Sequence, residues 1–566
     1  MPRDKNIFTL NPTSIDMKRS VFPRNSQHKT SFNLGEIIPI YMDEILPGDT
    51  VSMDLAQVIR TSSPFISPVM DNIYADVYFF FVPNRLVWSH WQQFCGEAET
   101  MAWTQTTTYS IPTHQIGGAN GGLQYACKTG SLGDYFGLPV YDKVSGVPTL
   151  PKTLAVNELP LRGYFKIYND WFRDENSIAP VVYSIGDSAN TSISYRNLPK
   201  KASRFHDLFS SALPAPQKGA SVVLPLGTEA GFKTTSSAYA ISGTPTTPIK
   251  FGNTSTLNTS EAQVYLDGNI SGGLAYKTGS SIGAGSQVNY TNLVVDLSNA
   301  TAATINQIRM AFQVQKLLEK DARGGTRYIE LLRAHFGVTS PDARLQRSEY
   351  LAGHRFRINV DQVVATADSG QSGSSVVGEP GAISKTTQAG SMFTKSFVEH
   401  GMLIGVVVLR QDHTYSQGLD RYWLKKDRFD FYYPVLANVG EVPLFKSEID
   451  VYNGGTSNNI NGDVGEGSGV FGYQEAWFEY RFKKSISTAY MNASTLNSLN
   501  YWTLGDVYTS VPGLNSSFLE ESPTFLDRAL QVQSSTMHQF IADFYFKAKY
   551  SRVMPLYSIP GLIDHH

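Results

Sequence analysis

The stretch "IYADVYFFFVPNRLVW", residues 73 to 88, has the alternation of a β-strand, yet neither of its faces is plainly a water face. Counting by twos puts Ile73, Ala75, Val77, Phe79 and Phe81 on one side and Tyr74, Asp76, Tyr78, Phe80 and Val82 on the other. The first set requires a core. The second begins polar and ends apolar, so its end needs a cover: a helix from an insertion or a neighbouring subunit.

Working outward, "FNLGEIIPIYMDEILPGDTVSMDLAQVIR" at 32–60 predicts two strands around an "LPGDT" turn. "MLIGVVVL" at 402–409 is a strand-sized apolar run, too short to span a bilayer, and no longer run exists in the chain. Late strands are one-sided. "QFIADFYFKAKY" places Phe540, Ala542, Phe544, Phe546, Ala548 and Tyr550 inward, with Asp543, Lys547 and Lys549 outward. By the same alternation "YQEAWFEYRFKK" predicts an inward Ala476, Phe478, Tyr480 and Phe482.

Helices are few. "LPLRGYFKIYNDWFRDEN" (159–176) has an aromatic stripe at helical spacing, with Pro160 suited to a first turn. A second helical block spans about 304–336, broken at Gly324-Gly325, with Thr326 able to cap a fresh start and Gly337 placed to end it. Between these, 219–299 turns rich in Ser, Thr, Gly and Asn, although "QVYLDG" and "NLVVDL" suggest an ordered excursion. Smaller excursions are expected at 366–391 and 453–472. Many strands, long loops and few helices argue for a mainly β sandwich whose loops have grown.

Composition narrows the function. Among 566 residues, 31 Phe and 30 Tyr exceed what one sandwich core needs, which leaves apolar area for contacts. The formal net charge of −2 excludes a whole-chain basic footprint. Two cysteines, Cys95 and Cys127, make no disulfide framework, and no leader-like segment opens the sequence, so folding in a reducing cytoplasm is expected.

Searches for chemistry return little. Gly467, Gly469 and Gly472 match G-x-G-x-x-G but lead into a strand rather than a helix, and Gly279, Ser281 and Gly283 match G-x-S-x-G without the strand-to-helix turn a nucleophile needs. There is no Cys-x-x-Cys or His-Glu-x-x-His, and the histidines are scattered. Asp412-His413 could be half of a catalytic pair, although a polar strand end is the blander account; Asp174-Glu175 and Glu319-Asp321 look like solvated helix ends. No catalytic residue, cofactor or metal site is expected. Nucleic acid has local support in a basic arm (1–32) with Arg3, Lys5, Lys18, Arg19 and Arg24, and in Lys547, Lys549 and Arg552 around Tyr550. Lys200, Lys201, Arg204 and His206 beside Phe205 form a third cluster, with ordinary solvated faces as the alternative for each.

Several segments together carry a resemblance. "PVMDNIYADVYFFFVPNRLVW", "LPLRGYFKIYNDWFRDEN", "SSALPAPQKG", "RYIELLRAHFGVTSPDARLQRSEYLAGH", "EHGMLIGVVVLRQDHTYSQGLDRYW" and "GYQEAWFEYRF" resemble, in that order, the major capsid proteins of the Microviridae, in their gokushovirus-like branch. The resemblance implies an eight-stranded antiparallel jelly roll with long insertions containing several helices, and self-assembly into a T=1 icosahedral shell around circular single-stranded DNA. It divides the chain into a basic arm (1–32), a first part of the jelly roll (33–218), a surface insertion at the three-fold axis (219–299), and a helical segment with the remaining strands (300–566). It further implies as partners other copies of the chain, the packaged DNA, a small basic internal DNA-binding protein, a scaffolding protein and a host-cell surface receptor, with assembly in a bacterial cytoplasm and no membrane insertion. Tyr78, Phe80 and Trp88 are then expected as subunit-interface aromatics, with Arg3, Lys5, Lys18, Arg19, Arg24, Lys547, Lys549 and Arg552 touching DNA or the internal protein. Other classes open to such a sandwich are a receptor-binding fibre head and a carbohydrate-active enzyme, which needs paired carboxylates across an aromatic groove.

Overall fold

Strand β5, Ile73–Pro83, is the hinge of the architecture, because both of its faces are buried for different reasons. The computed structural model describes residues 18–97, 107–116, 127–140, 154–220, 222, 231–234, 249–253, 262–265, 275–277, 288–290, 293–296, 305–325, 327–364, 366, 378, 380–451, 469–492 and 494–557. Around β5 lie β1 (Ser20–Pro23), β2 (Ser26–Phe32), β3 (Ile38–Ile45) and β4 (Thr50–Thr61) before it in the chain. After it come β6 (Glu349–Arg357), β7 (Val360–Val364), β8 (Pro380–Ser396), β9 (Gly401–Gln411), β10 (Glu441–Phe445), β11 (Val470–Glu475) and β12 (Phe540–Arg552).

Two antiparallel sheets form the body. One has the order β1-β12-β4-β8-β7, with β2 also pairing to β12; the other has the order β6-β5-β9-β3. The first core lies between them. Ile73, Ala75, Val77, Phe79 and Phe81 pack in it with the inward residues of β12 from Phe540 to Tyr550, as alternation predicts. Pro39 sits in β3, at an edge where a missing N–H is tolerated, opposite Val406 and beside a register shift at Gly405/Val406. At that shift the backbone must come close: a Cβ on Gly405 would stand 2.8 Å from the Phe79 ring and 3.0 Å from the Tyr41 Cβ.

The outer end of β5 has its cover within the chain. Helix α1, Leu159–Ile167, followed by a single π-helical turn at Tyr168–Phe172, lies over the second sheet. It packs Leu161, Tyr164, Phe165 and Ile167 against Phe80, Val82, Ile404 and Val406 in a second core. The widening to a π turn at 168–172 is how the expected helix ends four residues short of Asn176. Arg162 staples this layer: its guanidinium donates to the carbonyls of Val87 (3.1 Å), Gly186 (2.8 Å) and Ser188 (3.0 Å) and faces the buried Glu158 at 3.4 Å. A buried charge is tolerable only when satisfied in this way. A third core gathers Phe209, Tyr415, Leu444, Phe471, Phe478 and Phe518 beneath the long connections between β9 and β12.

The chain divides into two units, 1–218 with 320–566, and 219–319. In the second, among the described residues, Gly231–Thr234 pairs with Leu293–Asp296, and Ala275–Lys277, Ala262–Tyr265, Ile249–Asn253 and Val288–Tyr290 form a four-stranded sheet. The two strand-like pieces read in this excursion are therefore strands. Helix α2 (Ile305–Arg323) leads out, and α3 (Tyr328–Phe336) follows the Gly324-Gly325 break. Gly337 ends α3 in a left-handed conformation, φ 70°, as expected, while Arg327 holds the N-cap position and its backbone N–H donates to the Glu330 carboxylate at 3.2 Å; Thr326 lies outside the described residues.

Three expectations need correction. Residues 20–32 are not a free arm, since β1 and β2 pair along β12 from Phe540 to Arg552. Residues 380–391 belong to the long strand β8, which pairs with β4 through a run of small residues, Thr386 to Ser391, that has strand register but little strand composition. "YQEAWFEYRFKK" stops being a strand at Glu475, because Trp477 turns left-handed (φ 65°) and Phe478–Tyr480 forms a 3-10 turn. Ala476 and Phe478 are buried, but Tyr480 and Phe482 face solvent.

Candidate functional site

Alternation along β12 sends Ile541, Tyr545, Lys547 and Lys549 out of the sandwich, on a sheet face with no covering layer among the described residues. Register aligns Arg60 of β4 between Ile541 and Lys385, and places Lys29 of β2 opposite Asp543. Lys29, Arg60, Lys385, Lys547 and Lys549 are exposed there. The acids are Asp54, opposite Lys547, Asp361, opposite Ile383, and Asp543, already held by the Gln27 amide at 2.7 and 2.8 Å, so three acids face five bases. This face is basic and interrupted by exposed Tyr545, Ile541 and Ile383. Local positive charge with aromatic relief suits a phosphate backbone.

The predicted charged residues fare unequally. Lys547 and Lys549 lie on this face, and Lys18 is exposed near its edge strand. Arg19 is exposed and donates to the Thr50 hydroxyl at 3.4 Å. Arg24 is tied to Asp43 at 2.8 Å and lies 5.3 Å over the Tyr550 ring. Arg552 is a correction: it is 8% exposed, bound to Asp49 at 2.9 Å and to the Glu44 carbonyl at 2.7 Å, so it closes the β3–β4 turn. The even spacing that sends Lys547 and Lys549 out sends position 552 in. Arg3 and Lys5 lie outside the described residues.

Two of the three predicted interface aromatics are also corrected. Phe80 and Trp88 are fully buried under α1, Trp88 donating its indole N–H to Asp187 at 2.7 Å. Tyr78 is half-buried and accepts from Arg410 at 2.9 Å. The aromatic surplus is elsewhere. "RYWLKKDRFDFYYPVL", 421–436, carries Tyr422, Trp423, Phe429, Phe431, Tyr432 and Tyr433, all exposed, with Phe429 at 75% and Val435 at 94%. Ring distances make part of it one patch: Tyr432 lies 5.6 Å from Trp477 and 6.3 Å from Tyr480, and Lys425 lies over Phe431 and Tyr480 at 5.3 and 4.2 Å. At about 200 Å² a ring, the exposed halves of six such side chains amount to roughly 600 Å². Only the part around Phe431, Tyr432 and Tyr480 is joined into one patch, and exposed aromatic patches mark interaction sites. The signal in the sequence was aromatic density without period 2 or 3.6, which strand and helix patterns pass over.

The half-pair at Asp412-His413 resolves into structure rather than chemistry. Asp412 accepts from Asn72 and Tyr74, while both ring nitrogens of the buried His413 meet carboxylates, Asp506 at 2.8 Å and Glu521 at 3.2 Å. No ring nitrogen is left to take a nucleophile's proton. Arg204 binds the other Asp506 oxygen at 2.7 Å, packed between the Phe518 and Phe525 rings at 4.8 and 4.9 Å. Buried as it is, Arg204 is not part of a DNA-binding cluster with Lys200 and Lys201. Burial alone would lower the His413 pKa, but Asp506 and Glu521 override it and hold the imidazolium to about 9. Burial likewise opposes ionisation of Asp506, yet His413 and Arg204 hold its carboxyl well below the usual range.

The expected solvated acids are engaged too: Asp174 caps the backbone N–H groups of Asn176 and Ser177, Glu175 pairs with Arg327, and Asp321 meets His335 at 2.6 Å. Among the described residues no cluster of His, Cys, Asp and Glu is arranged to hold a metal ion, and no helix is long and apolar enough to cross a membrane. Cys95 and Cys127 are free thiols.

Comparison with known proteins adds an independent line. Residues 12–562 match the family described as "Capsid protein (F protein)". "Capsid protein VP1" of Bdellovibrio phage phiMH2K is 38% identical, over 97% of this chain and 96% of the relative. The proteins of the same name from Spiroplasma virus 4 and Chlamydia phage 1 are 37% and 34% identical, over 94% and 99% of this chain and 94% and 98% of the relatives.

Proposed function

Because this chain belongs to the capsid protein (F protein) family, a structural protein of the virion and not an enzyme, we propose that it closes a T=1 icosahedral shell around circular single-stranded DNA. The observation that carries the reading is the exposed aromatic patch around Tyr432, Tyr480 and Phe431 on a chain that already has three buried cores. That area is surplus to a monomer and sufficient for symmetric contacts with other copies.

The sandwich is an eight-stranded jelly roll in this reading. The order β2-β12-β4-β8 in one sheet and β6-β5-β9-β3 in the other supports it, since successive strands β2 to β5 switch sheet at every step and β12 returns between β2 and β4. Its insertions divide the chain as 33–218, 219–299 and 300–566, with β1 and β2 ahead of them already in the sandwich. The basic face with Lys547 and Lys549 turns inward to the DNA or to a small basic internal protein, joined by Arg3, Lys5, Lys18 and Arg19. The net charge of −2 supports that second partner, because this chain alone cannot neutralise a genome. The 219–299 excursion stands at the three-fold axis and meets the host receptor, and a scaffolding protein assists assembly in the bacterial cytoplasm.

Replacing 219–299 by a short Gly/Ser linker tests the division of labour: closed shells that have lost host attachment are expected. Failure to form shells contradicts it. A fibre-head reading has no specific observation in its favour.

A further inference from the structure

Charge separates the two exposed surfaces of the subunit. On the basic sheet face Lys29, Arg60, Lys385, Lys547 and Lys549 outnumber the acids, so a second copy of that face would be repelled. The aromatic patch is different. Along its exposed turn, "KKDRFD" at 425–430, Lys426, Asp427, Arg428 and Asp430 are all exposed, two of each sign and interleaved.

This turn is fixed before any partner arrives. Asp430 accepts the backbone N–H groups of Asp427 and Lys426, both at 2.8 Å, which hold its carboxyl below the usual range. Lys425 is tied to Glu479 and to the Tyr480 hydroxyl, both at 2.9 Å. Lys426 and Arg428 form no ion pair among the described residues, and Arg428 lies 5.3 Å from the centre of the Tyr433 ring. A surface ordered in advance loses less freedom on docking, and its unpaired charges remain available to set the register.

Shape follows charge. Phe429 and Val435 project into solvent, while an open cleft of about 200 Å³ lies between Leu419, Tyr422, Phe478 and Phe482. The Lys425–Glu479 pair joins the two, because Glu479 lines the cleft and Lys425 covers Phe431 and Tyr480 of the patch. Opposite signs and opposite shapes on one surface suit apposition to itself about a two-fold axis, where every contact of residue i with j is repeated as j with i. Three-fold and five-fold contacts join unlike surfaces and make no such demand.

We infer that the 421–436 patch is the two-fold contact between copies of this chain, docking on the same patch of a second copy with Lys426 and Arg428 facing the acids of its turn. The inference rests on the shell reading and adds which surface meets which. Charge reversal tests it on the full-length chain, expressed with its scaffolding partner and examined by sedimentation and negative-stain imaging. K426E/R428E makes the turn wholly acidic and D427K makes it mainly basic; both change exposed positions, and thermal unfolding of the subunits should match the native chain. Each variant alone should need at least about a 10-fold higher subunit concentration to form shells, since like charges then meet across the axis. Co-expression of the two should restore shells at the native concentration, with both chains present in equal amounts. K426E/R428E assembling as readily as the native chain, or the co-expressed pair assembling no better than either variant alone, would mean that the patch meets some other surface and would overturn the inference. A native chain that forms no shells would refute the shell reading itself, and the two-fold contact with it.

Discussion

Replacing His413 by Gln tests the buried ionic cluster that joins β9 to the connections around Asp506 and Glu521. Its imidazolium has two carboxylates at 2.8 and 3.2 Å, and Arg204, Asp71 and Arg528 are the other charged groups that bear on them. The folded pKa is raised from 6.5 to about 9. Because the native state holds this proton more tightly than the unfolded chain, the stabilisation is complete below pH 6.5 and is lost as pH rises through about 9. The shift of about 2.5 pH units corresponds to roughly 3 kcal/mol. Urea midpoints of the soluble subunit, taken from pH 6 to 10, should therefore fall in the native chain. H413Q should start roughly 3 kcal/mol lower at pH 6, and the gap should close by about pH 9.5. A gap of constant size across that range would show that His413 contributes packing and not charge, and would refute the reasoning.

The layer beneath α1 predicts that Phe80→Ala costs about 3–5 kcal/mol of subunit stability, read by thermal unfolding of the unassembled protein; a neutral result would return Phe80 to the surface. Gly418 tolerates no side chain, since a Cβ would stand 2.0 Å from the Glu448 carbonyl oxygen, so Gly418→Ala should cost about 3 kcal/mol and depress soluble yield. Arg552→Gln breaks a buried pair with Asp49 and should cost about 3–5 kcal/mol. The exposed pair Lys547→Gln and Lys549→Gln should change subunit stability by less than about 0.5 kcal/mol while lowering the salt needed to strip DNA from particles.

Much of the sandwich was legible because half-buried strands announce themselves by period 2. The inward set of β12 and both faces of β5 follow from alternation, and the Gly324-Gly325 break follows from backbone cost. What alternation cannot see is where a strand stops for conformational reasons. At Trp477 the pattern runs on into Phe482 while the backbone turns left-handed. It also misses strands built of small residues, as in β8, whose partner β4 supplies the register. The surface residues were harder still. Phe80 and Trp88 look like spare aromatics until α1, some 80 residues on, is packed over them. Arg552 and Arg204 look like free cations until Asp49 and Asp506 arrive from distant segments. The patch at 421–436 has no periodic signature, and only its exposure identifies it.

The central claim is that surplus aromatic surface drives copies of this chain into a closed shell. Sedimentation and negative-stain imaging of the full-length chain, with a scaffolding partner supplied, should give closed particles of uniform size. The double substitution Phe431→Ser and Tyr432→Ser, at exposed positions outside the three cores, should leave folded subunits that remain unassembled under the same conditions. Closed shells formed as readily by that variant as by the native chain would contradict the account.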